Sequence, residues 1–103
     1  MLQTTPMEFY GNGRIRTEHI TDNGDLVGIT TYYENGVVHY RTPYKAGVLN
    51  GQECAYDENG HLVLEIEWSN NELHGYTRAY KEDGTIDYIQ LYRFGELIDT
   101  WGP

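Results

Sequence analysis

Apolar and polar residues alternate in short runs along this chain, and glycine cuts the runs at regular intervals. Two residues after Gly13, Gly36, Gly60 and Gly84 come Ile15, Val38, Leu62 and Ile86, and two further on stand Thr17, Tyr40, Leu64 and Tyr88. Four beyond those come Thr21, Tyr44, Trp68 and Tyr92. A period of two places such residues on one side of a strand, so the pattern predicts an aliphatic and aromatic face, expected to be the core. No segment shows the 3.6-residue apolar period of an amphipathic helix.

The intervals form a repeat of 23 or 24 residues. Tyr32-Tyr33-Glu34-Asn35-Gly36, Tyr56-Asp57-Glu58-Asn59-Gly60 and Tyr80-Lys81-Glu82-Asp83-Gly84 are related, and Phe9-Tyr10-Gly11-Asn12-Gly13 is a degenerate first copy. Each unit spells two turns. Asn12-Gly13, Asn35-Gly36, Asn59-Gly60 and Asp83-Gly84 are dipeptides that supply two consecutive positive φ angles, which predicts type I′ hairpins there. The second turn lies eleven residues on, at Gly24, Gly47, Asn71 and Gly95, followed by Leu26, Leu49, Leu73 and Leu97 and then by Gly28, Gly51 and Gly75.

Sequential hairpins give a meander, here one domain of four units at about 8–28, 29–51, 52–75 and 76–99 with short terminal caps. Phe9, Tyr32, Tyr56 and Tyr80, which open the units, are expected to stack along it. In the fourth unit the run from Ile86 to Tyr92 is apolar on both faces, because Ile89 and Leu91 take the places of Glu65 and Glu67. The favoured cause is a tail with Trp101 that folds back as a cap, and the alternative is a protein-binding patch.

Composition agrees with an all-β chain: ten tyrosines, two tryptophans and twelve glycines occur in 103 residues. Charge adds more. The net charge is −9, of which residues 1–52 contribute −1 and residues 53–103 contribute −8. A field of that sign repels nucleic acid and anionic lipid and favours a basic protein partner, although solubility alone would also account for it. The one cysteine, Cys54, forms no internal disulfide, and neither a leader pattern nor an apolar run of ~18 residues occurs, so the expectation is a cytoplasmic protein.

Catalytic, cofactor and metal chemistry find little support. His19, His39, His61 and His74 occupy four different places in the repeat, so its symmetry brings no pair together. Cys54 has no recognisable Cys-His arrangement, and the glycines lack the helix and cation of a phosphate cradle. The expectation is a non-enzymatic protein without cofactor or metal.

The unit Tyr-x-x-Asn-Gly, then alternating residues, then Tyr44 to Gly51 or Trp68 to Gly75, resembles the MORN repeat in its bacterial variant, over roughly residues 8–99. Proteins of this kind are similar to the YwqK-family antitoxins. The resemblance implies an elongated, twisted single sheet of β-hairpins used as a protein-interaction surface, and partners that are toxins. Thr17 and Thr21 in the first unit and Asp99 in the last depart from the pattern. Other MORN proteins have been linked to membranes, but no basic amphipathic stretch here supports that.

Two sets of residues are therefore candidates for partner binding. Tyr33, Tyr40, Tyr44, Trp68, Tyr88 and Tyr92 are aromatic anchors. Glu53, Asp57, Glu58, Glu65, Glu67 and Glu72 lie in a stretch, residues 53–77, without Lys or Arg, and Glu65 and Glu67 share a strand face about 6.8 Å apart. The leading expectation is an antitoxin or immunity-type inhibitor that neutralises a toxin or a basic, nucleic-acid-acting effector, with a phage-type inhibitor of a host nucleic-acid-binding defence complex as a variant. A structural scaffold or self-assembling array is the alternative class. If Tyr40, Tyr44 and Trp68 prove buried, the interface moves to the carboxylate face.

Overall fold

Turn chemistry sets the architecture. A computed structural model describes residues 1–103 as an antiparallel meander without helix, with β1 (Leu2–Phe9), β2 (Ile15–Asp22), β3 (Asp25–Tyr32), β4 (Val38–Lys45) and β5 (Val48–Leu49) in its first half. β6 (Gly51–Tyr56), β7 (Leu62–Ser69), β8 (Glu72–Tyr80), β9 (Ile86–Arg93) and β10 (Glu96–Trp101) complete it. The order in space is the order in sequence, except that β5 pairs only with β4.

The type I′ geometry expected at the Asn-Gly and Asp-Gly turns is found at the second turn instead. At Asn23-Gly24, Ala46-Gly47, Asn70-Asn71 and Phe94-Gly95 both residues have positive φ, the signature of a two-residue type I′ hairpin. At the Asn-Gly and Asp-Gly turns only the glycine does, with φ between 86° and 89°. There the glycine N–H returns to a carbonyl three residues back, as from Gly36 to Tyr33 at 3.0 Å, while the Tyr33 N–H reaches the Val37 carbonyl at 2.8 Å. That is a three-residue loop, a type I turn closed by a left-handed glycine. Its asparagine works through the side chain instead: Oδ1 of Asn12 and Asn35 accepts from the N–H of Arg14 and Val37 at 2.9 and 3.0 Å, and Asp83 accepts likewise from Thr85. Such Asx bonds cap a loop without requiring positive φ of the residue that makes them.

The leucine, variable residue and glycine after the second turn write a β-bulge. Register slips leave Val27 unpaired between Leu26 and Gly28 and Ile98 between Leu97 and Asp99, and Asn50 at the same place separates β5 from β6. Bulges bend a strand and tighten its twist.

The apolar face is not a closed core, because the sheet is a single layer with nothing packed over either side. Only Gly28, Thr30, Ala55, Thr77 and Ala79 are buried, and no large side chain is fully so. Ala55, at 2% exposed, pairs with both Tyr40 and Leu64, and Ala79 pairs with Leu64 and Tyr88. Bulky residues on alternate strands thus roof over the alanines between them, and cross-strand pairs of this kind contribute roughly 0.2–1 kcal/mol each. The radius of gyration is 15.0 Å, against about 13 Å for a compact domain of this length.

Tyr32 and Tyr80 do not stack along the array. Each instead donates its hydroxyl to a carboxylate one strand away, Tyr32 to Glu18 at 3.0 Å and Tyr80 to Glu65. The tail does not fold back as a lid either: β10 continues the meander beside β9, and Trp101 pairs with Ile89 on one face, where its ring lies 6.4 Å from Tyr76.

Candidate binding surface

Register divides the candidate residues between two faces and two ends. Residues opposite one another in the ladders share a face, so one face carries a row of Tyr40, Ala55, Leu64, Ala79 and Tyr88. A second row on that face pairs each aromatic beside the type I′ turn with a leucine: Tyr44 with Leu49, Trp68 with Leu73 and Tyr92 with Leu97. Between the two rows lie Thr42, Glu53, Ile66, Thr77 and Gln90. Tyr40, Tyr44, Trp68, Tyr88 and Tyr92 are all half-buried, since neighbours in the sheet cover their flanks and nothing covers their outer surface.

Tyr33 stands apart from those five. Its hydroxyl donates to the Tyr56 carbonyl at 2.7 Å and its ring stacks on His39 at 4.2 Å, so it ties one three-residue loop to the next. Tyr10 makes the same bond to Tyr32, and the Asn12 and Asn35 amides reach the Glu34 and Glu58 carbonyls. Burial, with Glu58 and Asp57 nearby, raises the Tyr33 hydroxyl above its ordinary pKa and keeps it a donor.

The acids of the third unit do not form one cluster. Glu65 and Glu67 share the opposite face, as expected, but they are not free: Gln52 donates to Glu65 at 2.6 Å, Tyr80 also bonds Glu65, and the Arg78 guanidinium lies 3.7 Å from Glu67. Arg78, one residue beyond the stretch that lacks bases, is brought directly across from Glu65 by the β7–β8 register. Asp57 flanks and Glu58 begins a three-residue loop, where Asp57 accepts from the His61 and Asn59 N–H groups and is held below its usual pKa by those bonds. Glu72 is exposed beside the type I′ turn at the other end of the strands.

Glu53 alone of the acids sits on the aromatic face. Its Oε1 accepts the Trp68 indole N–H at 3.0 Å and its Oε2 accepts the Thr42 hydroxyl at 2.5 Å. Cys54, next along β6, points to the other face between Arg41 and Glu65, and burial together with Glu65 pushes its thiol up. His61 contacts Asp57, His39 lies among Tyr33 and Tyr40, and His74 lies against Phe94.

Two segments, residues 26–46 and 49–70, match the family model described as the MORN repeat variant. These two segments resemble MORN repeats. They begin at the leucine beside each type I′ turn, so the repeat as the family defines it runs from bulge through three-residue loop to the next aromatic. MORN repeats serve as protein- and membrane-binding modules rather than as catalysts. No curated protein and no solved structure gives a match. No helix is long and apolar enough to cross a membrane.

Proposed function

We propose that this MORN-repeat chain is an inhibitor of the antitoxin or immunity type, which lays its aromatic face on a basic, nucleic-acid-acting protein and blocks it. One observation carries the reading: Tyr40, Tyr44, Trp68, Tyr88 and Tyr92 form two rows on a sheet face that no second layer covers. A half-exposed aromatic face of this extent is what a partner buries, and aromatic residues dominate the energy of such contacts. The net charge of −8 over residues 53–103 speeds and orients the approach of a basic partner.

The test is co-expression and purification with the product of the adjacent gene. A stoichiometric complex is expected, with association that slows as salt rises, and Trp68→Ala and Tyr92→Ala should each weaken it by tenfold or more. Growth of cells making that product should recover when this chain is supplied. Failure of both complex and rescue would sink the proposal.

A second reading rests on the sheet's edges. Leu2, Met7 and Phe9 on β1 and Leu97, Ile98 and Trp101 on β10 are exposed, and unpaired edge strands can join end to end into a scaffold. Sedimentation across a wide concentration range separates the two, because a scaffold grows unaided.

A further inference from the structure

Glu53 breaks the repeat at the place where the repeat is otherwise uncharged. The corresponding residues, three before each unit's opening aromatic, are Pro6, Ile29 and Thr77, and Thr77 is among the few buried side chains. A carboxylate there is half-buried between two aromatic rows, and no Lys, Arg or His side chain forms an ion pair with it. A charge on an apolar face, held by two neutral donors and lacking a counter-ion, is a local conflict of the kind that proteins retain at functional positions.

The geometry points to a receptor for one arginine side chain of the protein partner, built from Glu53 and the Trp68 indole that orients it; this rests on the reading of the aromatic face given above. Each carboxylate oxygen already accepts one hydrogen bond, from the Trp68 indole to Oε1 and from Thr42 to Oε2. Each oxygen has a second lone pair, and two acceptors on one plane match the guanidinium fork. The indole and hydroxyl fix that plane before a ligand arrives.

Gly51, directly opposite Trp68, leaves the β6 side of the indole without a side chain, whereas Leu49, paired with Tyr44 on the same face, separates Tyr44 from Trp68. Arginine rather than lysine fits, because a flat fork can bond both carboxylate oxygens at once.

The probe is the blocked tripeptide acetyl-Gly-Arg-Gly-amide, titrated into the full chain while the indole N–H signals are followed by NMR. Its citrulline twin, equal in shape and neutral, is the control. The arginine peptide should shift the Trp68 signal in a saturable way and leave Trp101, which lies on the other face, unmoved. Glu53→Gln keeps an acceptor oxygen for the Trp68 indole, and its amide N–H can donate to the Thr42 hydroxyl, so it should fold with a similar denaturation midpoint yet bind about tenfold more weakly.

An unmoved Trp68 signal overturns the proposal. So does an equal response to citrulline, or undiminished binding by a folded Glu53→Gln. A complex with the adjacent gene's product that survives Glu53→Gln unchanged would remove this receptor while leaving the inhibitor reading in place. Absence of any such complex would do the reverse, provided that the peptide titration behaves as described.

Discussion

The Trp68 indole N–H donates to Oε1 of Glu53 at 3.0 Å, and the Thr42 hydroxyl takes the other oxygen, so one carboxylate links β4, β6 and β7 on a single face. Removing it leaves two half-buried donors without partners. Glu53→Ala should therefore lower the free energy of unfolding by about 1–2 kcal/mol, read from urea denaturation, whereas Glu53→Gln should cost less than half as much. Equal losses from both would mean that charge, rather than the acceptor geometry, stabilises this face.

Gly75 and Gly84 both have positive φ, 106° and 88°, but their surroundings differ. A Cβ on Gly75 would meet the Glu67 carboxylate and stand 3.2 Å from Glu67 Cβ, while one on Gly84 meets nothing. Gly84→Ala should cost only the backbone strain, ~1 kcal/mol, and Gly75→Ala should cost ~2–3 kcal/mol because Glu67 must also give up its bond to the Tyr76 N–H. Thermal denaturation of the two variants checks the order.

Ala46 holds the first position of a type I′ turn at φ 51°, where its counterparts are Asn23, Asn70 and Phe94. Alanine pays ~1 kcal/mol to enter the left-handed region and asparagine enters it readily. Ala46→Asn should raise the melting temperature by about 4–8 °C. An unchanged or lowered value would show that the turn has other constraints.

Tyr32 and Tyr80 are, with Tyr33 and Cys54, the groups whose raised values link the fold to alkaline pH. Burial, then the bond to Glu18, raises the Tyr32 hydroxyl, and the bond to Glu65, then burial, raises Tyr80. A raised folded-state value stabilises the native state fully below the unfolded value of about 10 and loses that contribution as pH climbs through the folded values. Stability measured by urea should thus fall above about pH 10, and the Tyr32→Phe, Tyr80→Phe double variant should show a shallower fall.

Much of this fold was legible from residue spacing. A period of two between regularly placed turn residues leaves few options besides sequential hairpins, and the alternation that puts Glu65 and Glu67 on one face holds in the structure. Turn geometry was less legible. Asparagine before glycine suits either a type I′ turn or a type I turn with a left-handed glycine, and the choice follows from loop length, which the strand register decides. Phe94 and Ala46 at positive φ show the converse, since neither residue type announces a left-handed turn.

The candidate surface divides in the same way. The aromatic face of Tyr40, Tyr44, Trp68, Tyr88 and Tyr92 follows from period alone, whereas Tyr33 joins the loops because its hydroxyl reaches a carbonyl 23 residues away. Local sequence determined the units, their turns and which side chains alternate. Tertiary structure decided that Arg78 comes across from Glu65 and reaches Glu67, that Glu53 faces Trp68, and that no layer closes over the aromatic rows. The physical reason is that alternation is a property of each strand by itself, while register and bulges, which join separate strands, determine which residues become neighbours.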